Sequence, residues 1–284
     1  MTLDEAIAEG SAALGNDAES ARRDARLLLG NVCARTAAWM MANGDAVLAD
    51  DDVARFYAAI SRRAAGEPVA YILGQVGFYG RTFTITPDVL IPRPETEQLV
   101  TLALEALEKV ERPLRLCDVG TGSGAIAITL AAERPDARVV ATDLSPAALT
   151  LAAKNAKALG VETRIEFRLQ EGLCEARTDG RFGAIVANLP YVRTADLAQS
   201  PDPTSFEPRL ARDGGRDGLA AYRTLLRGVS RVLHRDGWLV LEAGPDTVED
   251  LKMLALEALD GNADARVVRD YAGLPRIVEV RRTG

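Results

Sequence analysis

Residues 265–282 read A-R-V-V-R-D-Y-A-G-L-P-R-I-V-E-V-R-R. Two runs rich in β-branched residues flank A-G-L-P, and each has strand character. The connection is too short for the crossover that parallel neighbours need, so the two runs must pair antiparallel. Upstream lie five more strand candidates: R-L-C-D-V-G (115–120), A-R-V-V-A-T-D (137–143), R-I-E-F-R-L-Q (164–170), F-G-A-I-V-A-N (182–188) and G-W-L-V-L-E-A-G (237–244). Helix-length segments separate these five, which implies parallel strands with crossover helices. The expected fold is α/β, with a mostly parallel seven-stranded sheet that ends in an antiparallel hairpin. A plain dinucleotide-binding sheet lacks that ending.

The loop D-V-G-T-G-S-G-A (118–125) follows the first of these strands and opens a helix. Gly120, Gly122 and Gly124 let the backbone turn tightly and let a ligand approach without a Cβ in the way. Asp143 ends the next strand, where a carboxylate can accept both ribose hydroxyls of a nucleoside. Gly120, Gly122 and Ala125 also satisfy the dinucleotide fingerprint. The loop therefore calls for an adenosine-type cofactor without separating a nicotinamide dinucleotide from S-adenosylmethionine. A nearby carboxylate such as Asp118 is better tolerated beside a sulfonium than beside a pyrophosphate.

Asn188-Leu189-Pro190-Tyr191 closes the fourth strand, at the sheet edge where ligands of open parallel sheets bind. The Asn188 side-chain oxygen can accept a hydrogen bond from a substrate –NH2, and the Leu189 carbonyl can accept a second. Pro190 fixes the turn, and Tyr191 can stack on a planar group. Two acceptors on one nitrogen localise its lone pair and stabilise the charge that grows as a methyl arrives. The remaining task is alignment.

The rest of the 284-residue chain sets the context. Residues 1–75 read as successive helices. Thr2 and Glu5 form a capping box, Ala21, Ala25, Leu28 and Leu29 share a face with Gly30 as its stop, and a segment with an acidic start ends at Gly66. This stretch holds seven Arg, no Lys and eleven Asp or Glu, so it is an acidic bundle and no grip for nucleic acid. Arg62-Arg63 reads as a solvated helix end. Residues 76–93 read as a β-hairpin linker. Pro94, Glu95 and Glu97 then open a helix, the two acids either capping it or lying near the crevice. Net charge is −7, no apolar run approaches bilayer length, and no secretory leader is evident, so a cytoplasmic protein without stable nucleic-acid contacts is expected. Cys33, Cys117 and Cys174 are far apart, and one histidine, His234, offers no usual zinc set. Buried free thiols and a histidine in a last helical turn are expected.

Taken with these residues, R-R-A-A-G-E-P-V-A-Y-I-L-G, I-P-R-P-E-T-E, A-T-D-L-S-P-A-A-L, F-E-P-R-L-A-R-D-G-G-R-D-G-L-A-A-Y-R and D-Y-A-G-L-P-R give the chain a resemblance over nearly its whole length. It resembles the release-factor glutamine methyltransferases of the HemK/PrmC type, whose sheet is that of class I S-adenosylmethionine-dependent methyltransferases. The resemblance implies an N-terminal helical domain (1–75) that recognises the release factor, a linker (76–93) and a methyltransferase domain (94–284). It implies methyl transfer from S-adenosyl-L-methionine to N5 of the glutamine in the Gly-Gly-Gln motif of class I peptide chain release factors, by a monomer without a metal. Gly120, Thr121, Gly122, Ser123, Gly124, Asp143 and Asn188 would line the cofactor. Asn188, Leu189, Pro190 and Tyr191 would hold the glutamine, with Asn188, Pro190 and Tyr191 catalytic. Leu173 falls where some members place a Trp beside the adenine. The family usually has N-P-P-Y, so Leu189 departs from it. N-L-P-Y itself resembles the motif of rRNA adenine dimethyltransferases, and an adenine N6-type nucleic-acid methyltransferase is the alternative. Glu171 lies one place before the acidic residue usual after the third strand. F-E-P-R-L-A-R-D-G-G-R-D-G reads as a loop at the crevice edge or a solvated turn.

Overall fold

A computed structural model describes residues 1–15, 18–110, 114–173, 181–198 and 202–283. The chain divides into two compact units, Met1–Gln75 with Ala198–Phe206, and Val76–Leu197 with Glu207–Gly284.

The first unit is helical: α1 (Leu3–Leu14), α2 (Ala18–Val32), α3 (Ala37–Ala42), α4 (Asp50–Ala64) and α5 (Val69–Leu73). Thr2 and Glu5 form the expected capping box on α1. Leu3, Ile7, Leu28, Leu29, Met40, Phe56 and Ile60 fill its core. Two readings need correction. Gly30 does not stop α2, which runs on to Val32. A Cβ at Gly30 would lie 3.1 Å from both the Arg35 carbonyl and the Met40 sulfur, so the glycine serves a close return of the chain. Arg63 is not a solvated helix end. Its Nε donates to the buried Asp24 at 2.9 Å, while Arg62 grips Glu67.

The second unit begins with a hairpin, β1 (Gln75–Phe78) and β2 (Arg81–Thr84). Its turn residues Tyr79 and Gly80 both have positive φ, 49° and 71°, as a tight hairpin turn demands. Phe78 and Phe83 meet edge to face in the core under the sheet, so residues 76–93 are part of this unit's packing. There follow α6 (Pro94–Leu107), β3 (Leu114–Val119), α7 (Ala125–Glu133), β4 (Ala137–Asp143), α8 (Pro146–Ala158), β5 (Ile165–Leu169), β6 (Phe182–Asn188), α9 (Ala220–Leu226), α10 (Val229–Val232), β7 (Leu233–Glu242), α11 (Val248–Ala258), β8 (Ala263–Arg269) and β9 (Pro275–Arg282). His234 is an exposed residue of β7, not of a helix end; the helical turn α10 stops at Val232 and the chain is already extended at Leu233.

The sheet order is β5-β4-β3-β6-β7-β9-β8. Strands β3 to β7 run parallel, and β9 lies antiparallel between β7 and β8. Alternate side chains of β6 enter two cores. Ala184 and Val186 face α6 and α7, while Ile185 and Ala187 face α9 and α11. Burial on both faces explains why F-G-A-I-V-A has no polar alternation. After β3 the chain winds outward to β4 and β5. It then returns to the other side of β3 as β6. The carboxyl ends of β3 and β6 thus flank the switch point where a crevice opens. No helix among the described residues is long and apolar enough to cross a membrane.

Candidate active site

A cavity of 370 Å³ sits at this switch point, lined by residues 119–123, Asp143–Ser145, Gln170–Gly172, Asn188–Pro190, Asp88–Leu90, Thr96 and parts of 208–224. The glycine loop forms its floor. Gly120, Gly122 and Gly124 all have positive φ, and a Cβ on Gly122 would project into open space. The amides of Gly120 and Thr121 donate to the Thr142 carbonyl at 2.9 Å, fastening the loop to the end of β4. Asp143 accepts from the amides of Gly122 and Ser145, both at 2.8 Å, which fixes its carboxylate on the cavity wall.

Asp118 is placed differently from the expectation. It is fully buried and does not line the cavity. One oxygen accepts from Thr121 Oγ1 at 2.6 Å and from the Ala127 amide at 3.0 Å, tying the loop to α7. Its other oxygen has no partner among the described residues, and burial lifts its pKa to about 7. Leu173 also stays out of the wall and packs against the core beside α9 and α11. The apolar wall next to Asp143 is Leu144, which the motif reading passed over.

Among the described residues the cavity wall carries four carboxylates, Asp88, Asp143, Glu171 and Asp213, and no Lys, Arg or His. A pyrophosphate or a nucleic-acid backbone would meet repulsion there, whereas a sulfonium cation suits it. The residues present therefore fit S-adenosylmethionine: an open glycine cradle, a held carboxylate, an apolar wall and an acidic rim.

Asn188 follows from the register. It lies opposite Glu242 across β6 and β7, on the face that α6 covers. Its Nδ2 donates to Thr96 Oγ1 at 3.0 Å, and Thr96 Oγ1 donates to Glu242 Oε2 at 2.8 Å. Glu242 is buried, also bonded by Asn188, and lifted to about 7 by burial. The amide nitrogen is thus used inside the protein, which leaves Oδ1 as the acceptor for a ligand. The Leu189 amide donates to Tyr222 Oη at 3.1 Å, and that buried hydroxyl donates to the Glu242 carbonyl. The Leu189 carbonyl lies 3.4 Å from the same hydroxyl, a longer alternative for its single proton, and a carbonyl oxygen has two lone pairs, so it can still accept from a ligand. The Leu189 side chain closes over Gly120, where a Cβ would meet Leu189 Cδ2 at 2.6 Å.

The segment after Asn188 is braced from behind. A Cβ on Gly214 would lie 2.8 Å from the Pro190 carbonyl and from Tyr191 Cα, and one on Gly218 would lie 2.5 Å from the Tyr191 carbonyl. The amides of Val192 and Gly214 bond to the Arg212 and Val192 carbonyls at 3.1 and 2.8 Å. G-G-R-D-G is thus the backing of N-L-P-Y. The Tyr191 ring does not line the main cavity. It rests by Gly244 and borders a smaller cavity of 180 Å³ with Arg193, Asp196 and Thr247. Burial, followed by the Glu242 charge, raises the Tyr191 pKa.

Motif reading missed Thr96, Glu242, Tyr222, Asn155 and the Arg93–Glu207 pair as parts of the site. Asn155 binds both backbone groups of Thr84 and the Ser123 carbonyl, joining the hairpin to the glycine loop. Glu97 is neither a free cap nor a cavity residue; its carboxylate accepts from the Tyr79 amide at 2.7 Å.

Comparison with known proteins agrees with this architecture. The family model described as PrmC N-terminal domain matches residues 5–74, and the methyltransferase small domain matches residues 98–200. A release factor glutamine methyltransferase from Moorella thermoacetica is 44% identical over 277 residues, covering 97% of each chain. The chain belongs to the release factor glutamine methyltransferase family. A member from Coxiella burnetii is 40% identical over 282 residues, covering 99% of each chain. A solved S-adenosylmethionine-dependent methyltransferase from Agrobacterium tumefaciens shares the fold at 17% identity, with a TM-score of 0.50, over 74% of this chain and 69% of its own.

Proposed function

We propose that the protein transfers the methyl group of S-adenosylmethionine to the side-chain amide nitrogen of the glutamine in the Gly-Gly-Gln motif of class I peptide chain release factors. The observation that carries this reading is a cavity whose described lining holds four carboxylates and no Lys, Arg or His, and which ends at two neutral acceptors, Asn188 Oδ1 and the Leu189 carbonyl. Bound there, S-adenosylmethionine supplies an activated methyl on a sulfonium. Gly120–Ser123 would receive the cofactor and Asp143 its ribose hydroxyls, while Gly124, expected to line the cofactor, is not in the cavity wall and packs behind the loop against Ile128 and Ala152.

Asn188 and Leu189 each accept one hydrogen of the glutamine –NH2. This orients the nitrogen and draws its lone pair out of amide conjugation as the new bond forms. Methylation would place the positive charge on the amide nitrogen, where the two acceptors stabilise it until one proton passes to solvent water. Pro190 keeps the carbonyl of Leu189 at a fixed turn, and Tyr191, held by Gly214 and Gly218, anchors that turn. We assign recognition of the release factor to residues 1–75, in keeping with the match to the PrmC N-terminal domain, and place the reaction in the cytoplasm, where release factors work.

The test is transfer of label from S-adenosylmethionine to a purified release factor, to its Gln→Ala variant and to bulk RNA. Label on the intact factor alone supports the reading. Label on RNA, or on the Gln→Ala variant, contradicts it.

A further inference from the structure

An asparagine amide can present either its oxygen or its nitrogen to a ligand, and the two ends are nearly equal in size. Only the oxygen serves a substrate –NH2. What holds the correct end outward therefore matters, and neither the glycine loop nor the tetrapeptide supplies it.

The structure shows a chain of three side chains behind Asn188. Thr96 lies in the first turn of α6, whose N-terminus rests on the sheet face shared by Asn188 and Glu242. Thr96 Oγ1 stands 2.8 Å from Glu242 Oε2 and 3.0 Å from Asn188 Nδ2. A carboxylate only accepts, so the single Thr96 proton goes to Glu242, and Thr96 can then only accept from Asn188. Glu242 bonds the Asn188 side chain as well. Turning the amide over would set its oxygen against two acceptors in a buried site, which is strongly unfavourable.

We propose that Thr96 and Glu242 are positioning residues that lock the Asn188 amide with Oδ1 toward the substrate. The inference rests on the reading of Asn188 as the acceptor for the glutamine amide. It has a built-in condition. When Glu242 binds a proton it can donate to Thr96, whose own proton is then free to turn to Asn188. Both orientations of the amide are then satisfied, and the wrong one presents –NH2 to –NH2. Burial places this protonation near pH 7, with Glu95 favouring it and Arg276 opposing it; Tyr191 and Tyr222 also face the carboxylate.

The experiment measures kcat and KM for the release factor in Thr96→Val, Thr96→Ser, Glu242→Gln and Asn188→Ala, with cofactor affinity by calorimetry and Tm for each. Thr96→Val keeps the shape and removes the hydroxyl. We expect its kcat at pH 8 to fall roughly 10- to 100-fold, with cofactor Kd within about threefold of the parent. Thr96→Ser is expected to recover kcat to within about fivefold. At saturating cofactor the parent kcat falls as pH drops through about 7, and Glu242→Gln lacks that inflection. If Thr96→Val does not fold, the Glu242→Gln profile decides. Turnover of Thr96→Val within about twofold of the parent, while Asn188→Ala is inactive, overturns the lock alone. Survival of the inflection in Glu242→Gln does the same. An active Asn188→Ala removes the reading of Asn188 and the lock with it.

Discussion

Arg93 holds Glu207 with one terminal nitrogen, 2.7 Å from each carboxylate oxygen. The Glu207 side chain is almost fully buried, and its Oε1 also accepts from the Ile91 amide. Burial raises the Glu207 pKa, and Arg93 is the main force against that. The pair staples the segment before α6 to the segment that backs the Asn188–Tyr191 turn, and Pro92 and Pro208 beside it both line the cavity. Removing Arg93 strands a buried charge, which costs about 3–5 kcal/mol. Arg93→Ala should therefore lower Tm by several degrees and weaken cofactor binding, while Arg93→Ala/Glu207→Gln should regain part of both. A double variant no better than the single one, by calorimetry, would show that the ion pair is not the staple.

Leu189 stands at the place of the first proline in the N-P-P-Y motif that N-L-P-Y resembles. A proline keeps the carbonyl but loses the amide that donates to Tyr222 Oη and the side chain that covers Gly120. Leu189→Pro is expected to hold kcat within about fivefold and to lose roughly 1–3 kcal/mol of stability. A loss of activity beyond about a hundredfold with unchanged Tm would mean that the carbonyl is not the working group.

Asp143 already accepts two backbone amides, so its carboxylate is aimed before any ligand arrives. Asp143→Ala should weaken S-adenosylmethionine binding at least about thirtyfold, through two lost hydroxyl contacts to a charged acceptor. Titration calorimetry reads this directly. Unchanged affinity would place the ribose elsewhere.

Asp118 and Glu242 make stability depend on pH in an unusual sense for carboxylates. Burial raises both to about 7 from ordinary values of 3.8 and 4.5. The folded state therefore binds protons more tightly than the unfolded chain. The stability this gives is complete below about pH 4 and is lost as pH rises through about 7, on the order of 3 kcal/mol for each group. The Asp118→Asn amide oxygen can still accept from Thr121 and Ala127, and it no longer titrates. Its urea midpoint should fall less between pH 5 and pH 8 than that of the parent. Equal falls would locate the pH dependence in other groups.

The fold was legible because strands buried on both faces write themselves as unbroken apolar runs, and because A-G-L-P is too short to be anything but a tight turn. The glycine loop was legible for the same local reason, since positive φ selects glycine. The partners of Asn188 were not. Thr96 precedes it by 92 residues and Glu242 follows it by more than fifty, and their meeting depends on the β6–β7 register and on where α6 lies across it. No periodicity encodes that. Asp118 shows the converse: spacing puts it next to the loop, but its side chain enters the packing between loop and α7, a tertiary contact that spacing does not encode. F-E-P-R-L-A-R-D-G-G-R-D-G reads as a loop at the crevice edge or a solvated turn, and Pro208, Leu210, Ala211 and Asp213 do line the cavity; what the sequence does not show is that Gly214 and Gly218 touch the backbone of Pro190 and Tyr191.

In the proposed reaction the methyl goes to one glutamine nitrogen held by Asn188. The most direct measurement is peptide mass spectrometry of a release factor after incubation with the protein and S-adenosylmethionine. One added methyl is expected on the glutamine side chain of the Gly-Gly-Gln peptide, absent with Asn188→Ala. A methyl on any other residue, or the same peptide methylated by Asn188→Ala at the parent rate, would contradict it.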